Sequence, residues 1–283
     1  METILEKIIH QKKKEVMLKE SLISRKQLEN SELFKRHTFS LSEQIKTSPL
    51  GFGIIAEHKR RSPSRSSINT SLLVQEVLEA YENAGVNGAS ILTDNSFFGG
   101  SLEDLLLARA TVKLPLLRKD FIIEEYQVIE AKAFGADAIL LIAATLTKQK
   151  VNSLTKLAQN LGLEVLLEVH NFKELEQNID TPVQLMGVNN RNLKTFEVSL
   201  ENSLSLVHHI PDGVVKISES GINSAEAIKT LYDVGYDGFL IGEHFMKTND
   251  PEKEVKNFIH KICQLIPKKN ESKNQNLRHE TPR

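Results

Sequence analysis

Cysteine is nearly missing from the chain: Cys263 is the only one in 283 residues. One thiol cannot build an internal disulfide framework or a cysteine metal site, and its solitude suits a reducing compartment. No apolar run reaches the roughly 18 residues that a membrane span needs. The N-terminal "METILEKIIHQKKKEV" lacks the unbroken apolar core of a signal peptide, so the expectation is a cytoplasmic protein, neither secreted nor membrane-bound. Excess charge is missing too. The net charge is -1, which gives no general attraction to nucleic acid or an anionic membrane, so any phosphate site must be local. No pair of histidines has convincing metal-ligand spacing, and His208 and His209 fall on an expected helix, so no metal is expected. No glycine-rich dinucleotide fingerprint follows any strand.

What is present is the balance of an ordinary globular protein, 40% hydrophobic and 26% charged. The length allows two small domains, but it also fits one α/β barrel of about 250 residues. Ile4, Leu5, Ile8, Ile9, Val16 and Met17 predict an amphipathic helix, and the basic triplet Lys12 to Lys14 reads as its solvated face. After residue 50 the pattern changes to short apolar runs at 53–57, 88–93, 115–119, 137–143, 164–169, 183–188, 214–219 and 237–242. Between them lie helix candidates such as 71–85, 101–112, 124–136, 147–162 and 223–235, and a last one follows at 251–266. "AGVNGASIL", "FGADAILLI" and "VGYDGFLIG" repeat one phrase, a helix ending in Gly, a short turn with Asn or Asp, then a strand. Eight such units predict a closed (β/α)8 barrel, with a doubly wound open sheet as the alternative. The expected division is an N-terminal helical extension over 1–48 packed on the barrel, the barrel over 49–266, and a polar, disordered tail over 267–283.

In such a barrel the site lies where the strands end. "GFGIIAEHKRRSPSRSS" is the plainest case, because the apolar run stops abruptly in charge. Burying those charges unpaired costs several kcal/mol each, so water or a charged ligand must take over there. Glu57 and Lys59 share a face by the period-two alternation of strands. The other strand ends offer Lys119, Glu168, Asn189 with Arg191, Glu219, and Gly242 with Glu243. Each alone has a plain reading, such as a surface pair of Lys119 with Asp120 or a turn-forming Asn189. Convergence on one rim is the usual form of a catalytic pocket. Gly221 and Gly242 follow strands seven and eight just before expected helix starts, where free N–H groups and the helix dipole favour a phosphate.

The motifs "IIAEHKRRSPS", "ILTDNSFFGGSLEDL", "LPLLRKDFIIEEYQV", "GADAILLI", "LLEVH", "GVNNRNLKT", "KISESGI" and "LIGEHFMK", in that order and spacing, closely resemble the indole-3-glycerol phosphate synthase family of tryptophan biosynthesis. The resemblance runs from the N-terminal helix to about residue 265, and it implies that this helix packs over the barrel mouth. It also implies a carboxy-lyase that converts 1-(2-carboxyphenylamino)-1-deoxyribulose 5-phosphate to indole-3-glycerol phosphate, CO2 and water without metal or organic cofactor.

By similarity Lys119 is the general acid and Glu168 the general base. Lys59 matches a residue that contacts the substrate carboxylate and is a second candidate acid for the dehydration, with Glu57 beside it. Asn189 and Glu219 match residues that orient substrate and catalytic groups. Phe98 and Leu140 would line the anthranilate pocket, while Ser62, Ser220, Gly221, Gly242 and Glu243 would surround the phosphate. Arg191 fits a charge partner for the rim carboxylates.

Two positions depart from the family's pattern. Relatives commonly follow "SPS" with a basic residue and Gly, where this chain has Arg65 and Ser66, and Ser is common where Glu243 stands. A different closure of the first loop is therefore expected. The partner implied is a small phosphorylated substrate, with no nucleic acid and no membrane. A monomer is expected, with transient contact to neighbouring pathway enzymes. Two other readings stay open: another phosphate-binding barrel such as phosphoribosylanthranilate isomerase, and a catalytically silent barrel that binds a phosphate ligand. The isomerase relies on a Cys and Asp pair, and Cys263 lies in the last expected helix.

Overall fold

A computed structural model describes residues 3–63, 65–192 and 195–266. The eight apolar runs form eight strands: β1 (Gly53–His58), β2 (Gly88–Leu92), β3 (Leu116–Lys119), β4 (Ala138–Ile142), β5 (Glu164–Val169), β6 (Leu185–Asn189), β7 (Val215–Glu219) and β8 (Gly238–Ile241). All pair in parallel in chain order, and β8 pairs with β1, which closes the barrel. Strands buried on both faces carry no polar alternation, which is why the sequence shows them as continuous apolar runs. The open-sheet alternative is thereby excluded.

The connecting helices follow from periodicity and caps. The longer ones, α4 (Val74–Ala84), α6 (Leu102–Thr111), α7 (Glu125–Ala133), α8 (Lys148–Asn160), α11 (Ala225–Asp233) and α13 (Pro251–Leu265), fall where the sequence predicts them. Four short ones have no such signal: α5 (Asn95–Phe98), α9 (Phe172–Asn178), α10 (Glu201–Leu206) and α12 (Glu243–Met246). Two turns or fewer are too short to show a 3.6-residue period. His208 and His209 sit in a single 3-10 turn. Among the described residues no helix is long and apolar enough to cross a membrane. The expected disordered tail lies outside the described residues.

The N-terminal segment reaches both ends of the barrel. It forms α1 (Ile4–Leu22), α2 (Arg25–Glu29) and α3 (Leu41–Lys46). Leu41 and Ile45 of α3 join Ile55, Leu117, Leu140, Leu166 and Ile217 in the barrel interior, plugging the end where the strands begin. Glycine makes room for the plug: a Cβ on Gly88 would come 2.4 Å from Leu41 Cδ1, and one on Gly53 2.6 Å from Ile45 Cγ1. At the opposite end Ile4, Leu5 and Ile8 of α1 face the mouth.

Lys12 corrects the reading of the basic triplet as a solvated face. It is 1% exposed, and its Nζ lies 3.0 Å from Asp94, 2.9 Å from Asp120 and 2.9 Å from Glu15. Asp94 caps α5 by accepting hydrogen bonds from the N–H groups of Phe97 and Phe98, and Asp120 directly follows β3. Burial works against the lysine's charge, but Asp120 and Asp94 outweigh it and hold its pKa above the ordinary value. Desolvation likewise opposes ionisation of Asp120, yet Lys12 and Arg118 hold it well below the carboxylate range. The helix over the mouth is thus anchored by charge to the two segments that carry Phe98 and Lys119.

Candidate active site

The strand ends surround one cavity of about 470 Å3 at the barrel mouth. Register sets their level: Lys119 lies beside Leu92, Glu168 beside Ile142, and Glu219 beside Asn189. All fourteen residues singled out in the sequence line this cavity: Glu57, Lys59, Ser62, Phe98, Lys119, Leu140, Glu168, Asn189, Arg191, Glu219, Ser220, Gly221, Gly242 and Glu243.

Lys119 sits among three carboxylates. Its Nζ is 3.4 Å from Glu219 Oε2 and 3.5 Å from Glu168 Oε2. Burial penalises its charge, but Glu219, Glu168 and Glu57 together raise its pKa above the ordinary lysine value. Lys59 pairs with Glu57 at 2.7 Å. Glu57 is buried, and Lys59 and Lys119 overcome that desolvation to hold it below its usual value.

The other two carboxylates diverge. Glu168 is held down to about 2, because the attraction of Lys119 and then of His170 and Asn189 outweighs desolvation. Glu219 is pushed up to about 7 by burial; Lys119 opposes the rise, and the negative charges of Glu168 and Glu57 add to it. Buried carboxylates driven apart in this way are a common mark of acid–base division at a site. Backbone room is made for them as well. A Cβ on Gly187 would come 2.1 Å from Glu219 Oε1, and one on Gly242 2.7 Å from Glu57 Oε1.

The walls divide into an aromatic side and a polar side. Phe98 packs on Phe121, with ring centroids 5.9 Å apart, and Leu140 is buried in the barrel interior. Across the mouth Ser220 and Gly221 both take left-handed backbone, at φ 70 and 75, and Gly242 is the N-cap of α12. A side chain on Gly221 would run into Val198, its Cβ 2.2 Å from Cγ1. A non-glycine residue such as Ser220 held at positive φ is uncommon and tends to occur at functional turns.

The loop after β1 closes on itself through paired backbone hydrogen bonds between Ser62 and Arg65, at 2.8 and 3.0 Å. Arg65 then reaches Glu243 at 2.8 Å, and Lys247 reaches the same carboxylate oxygen at 2.9 Å. The Glu243 side chain is therefore neutralised by two cations.

Arg191 departs from the charge-partner reading. Its described contacts are a guanidinium hydrogen bond to the carbonyl of Phe196 at 3.1 Å and a backbone N–H donated to Asn189 Oδ1 at 2.9 Å. It braces its own loop, and among the described residues no ion pair joins it to a rim carboxylate. Phe121 and Lys247 line the cavity without having been singled out in the sequence, and Ile4, Leu5 and Ile8 of the N-terminal helix's apolar face line it as well. His170, in contact with Glu168, was also missed, although the alternation that pairs Glu57 with Lys59 puts residues 168 and 170 on one side.

The family model described as indole-3-glycerol phosphate synthase matches residues 5–258. The indole-3-glycerol phosphate synthase of Bacteroides thetaiotaomicron is 46% identical over 262 residues, covering 93% of this chain and 100% of the relative. That of Polynucleobacter asymbioticus is 43% identical over 258 residues, covering 89% and 97%. Among solved structures, 3-hexulose-6-phosphate synthase from Salmonella typhimurium superposes with a TM-score of 0.59 at 12% identity, over 76% of this chain and 100% of that one. Tryptophan synthase subunit alpha from Legionella pneumophila gives 0.57 at 13%, over 80% and 97%. Those structural likenesses establish the barrel, and the sequence matches go further: the chain belongs to the indole-3-glycerol phosphate synthase family.

Proposed function

We propose that the mouth cavity closes the indole ring of 1-(2-carboxyphenylamino)-1-deoxyribulose 5-phosphate, with Lys119 as general acid and Glu168 as general base. The chain is a carboxy-lyase of tryptophan biosynthesis, and its product is indole-3-glycerol phosphate. The observation that carries the assignment of roles is the position of Lys119 between Glu168 and Glu219, with the Lys59–Glu57 pair lining the same cavity.

Ring closure joins the arene carbon bearing the carboxylate to the ketone carbon, and the ketone oxygen takes a proton. A lysine held above its ordinary pKa is fully protonated at neutral pH, yet it remains far more acidic than the alcohol whose alkoxide would otherwise form. The carboxylate then leaves as CO2, and its electron pair returns through the ring to the arene nitrogen. Finally the new hydroxyl departs as water, and a base removes a proton to complete the indole.

The first step prepares the last. Lys119 is the strongest influence holding Glu168 ionised, so once its proton is given away Glu168 becomes a better acceptor. Lys59 is placed to hold the substrate carboxylate and to assist departure of the hydroxyl. Phe98 and Leu140 fit the anthranilate ring. Ser62, the turn of Ser220 and Gly221, and the backbone N–H groups at Gly242 and Glu243 fit the phosphate.

The test is to add this substrate to folded protein and follow indole fluorescence together with CO2 release. Both signals are expected. Phosphoribosylanthranilate isomerase chemistry has no matching Cys and Asp here, since Cys263 lies on α13.

A further inference from the structure

His170 stands one residue beyond the end of β5, on the same side as Glu168. Its Nε2 lies 3.2 Å from Glu168 Oε1, and its Nδ1 lies 3.2 Å from Glu174 Oε2. Glu174 is itself fixed. The same Oε2 accepts the backbone N–H of His170 at 2.8 Å, and Oε1 accepts the amide of Asn171 at 2.6 Å. Asn171 in turn caps α9, its Oδ1 accepting the N–H of Glu174 at 3.0 Å. The imidazole is therefore clamped between two carboxylates, one in the pocket and one on the first turn of the following helix. A neutral ring would leave a lone pair facing one of those carboxylates, whereas an imidazolium donates from Nδ1 to Glu174 and sets its charge 3.2 Å from Glu168, an ion pair without a well-aligned hydrogen bond at Nε2.

We propose that His170 is a positioning residue for the general base: as an imidazolium held by Glu174, it aims the Glu168 carboxylate and keeps it ionised through the catalytic cycle. This rests on the reading of Glu168 as the base. The charged groups facing Glu168 are Lys119 on β3, Glu57 on β1 and Glu219 on β7, with Asn189 of β6 as a neutral neighbour. When Lys119 gives its proton to the substrate, His170 is the cation left in contact with Glu168 among the described residues. Without it Glu168 would face the negative charge of Glu57, and above about pH 7 that of Glu219 as well, and would take up a proton from water in place of the substrate's. Burial disfavours the imidazolium, but Glu168 and Glu174 hold its pKa up at about 10, so the charge is present across the neutral range.

A neighbouring cation lowers the pKa of a carboxylate, so its removal raises the pKa of Glu168 and depletes the ionised base as the pH falls. The experiment measures kcat and KM of wild type, His170→Gln, Glu174→Gln and Glu168→Gln from pH 5 to 9, with each variant checked for cooperative melting. For His170→Gln, KM should stay within about threefold of wild type and kcat should be about tenfold lower at pH 8, since the base is misaimed and not removed. In the intermediate Lys119 has given up its proton and its hold on Glu168, so with His170 also gone burial carries the carboxylate's titration up into the range read, and the ratio of the variant's kcat to that of wild type should fall about a further tenfold toward pH 5. Glu174→Gln lies further from the substrate and should move the ratio in the same direction by a smaller factor, which keeps the test alive if the first variant fails to fold. A ratio that does not change with pH in either variant overturns the role of His170, provided Glu168→Gln is itself inactive. If Glu168→Gln keeps its kcat, the assignment of the base falls and the inference falls with it.

Discussion

Arg65 and Glu243 form an ion pair at 2.8 Å that joins the loop after β1 to the short helix after β8. The first loop of this chain thus closes onto the start of that helix. The pair is partly exposed, and such pairs typically contribute about 0–1 kcal/mol. Glu243→Ser should therefore leave KM within a few-fold of wild type. Glu243→Pro stands at a first helical position and removes the backbone donor assigned to the phosphate; because it also presses on Gly242, which sits at ψ -67, its melting is measured beside its kinetics. Steady-state kinetics should show a strong rise in KM for Pro alone. A harmful Ser with a harmless Pro would move the phosphate away from β8.

Lys12→Met tests the anchor of α1. The substitution fills similar space but leaves Asp94 and Asp120 buried without their shared cation. Breaking a buried pair on one side costs about 3–5 kcal/mol, so thermal melting should shift down by many degrees. Activity should also drop in the folded fraction, since the loops carrying Phe98 and Lys119 lose a common support. An unchanged melting temperature would mean that the mouth helix is held by its apolar face alone.

Glu219 gives a stability test whose sign is fixed by its environment. Its folded pKa is raised to about 7 from an ordinary 4.5. The folded protein therefore keeps a proton that the unfolded chain releases between those values. The contribution to stability is complete below pH 4.5 and is lost as pH rises through 7. Glu219→Gln removes that pH-dependent loss. Chemical denaturation should find the variant gaining on wild type from pH 5 to pH 8 while its kcat falls. A gap that narrows as pH rises would show that Lys119 stabilises the ionised carboxylate more than burial opposes it.

Much of this site is legible in the sequence because a parallel strand buried on both faces has to stop where charge begins. Glu57, Lys59, Lys119, Glu168 and Glu219 each mark such a stop. Lys12 is not legible, because in an amphipathic helix a run of lysines looks solvated. What buries it is a pair of acids 82 and 108 residues away in sequence, a relation that helical periodicity does not contain. Arg118 is hidden for a similar reason. Next to Lys119 it points outward, where Asp120 at 3.1 Å and Glu130 at 2.8 Å enclose it. Arg191 failed in the other direction: a cation beside Asn189 suggests a partner for the rim, and the loop carbonyl of Phe196 takes it instead.

The most direct test of the account is the turnover of Lys119→Ala with the carboxyphenylamino-deoxyribulose phosphate, read as indole fluorescence from protein shown to be folded. Loss of a positioned general acid should lower kcat by about 10^2 to 10^4-fold. The fold should survive with a lower melting temperature, because the packed interior of the barrel is left intact while Glu168 and Glu219 lose their shared cation. Turnover close to wild type would contradict the central claim and would make Lys59 the leading candidate for the acid.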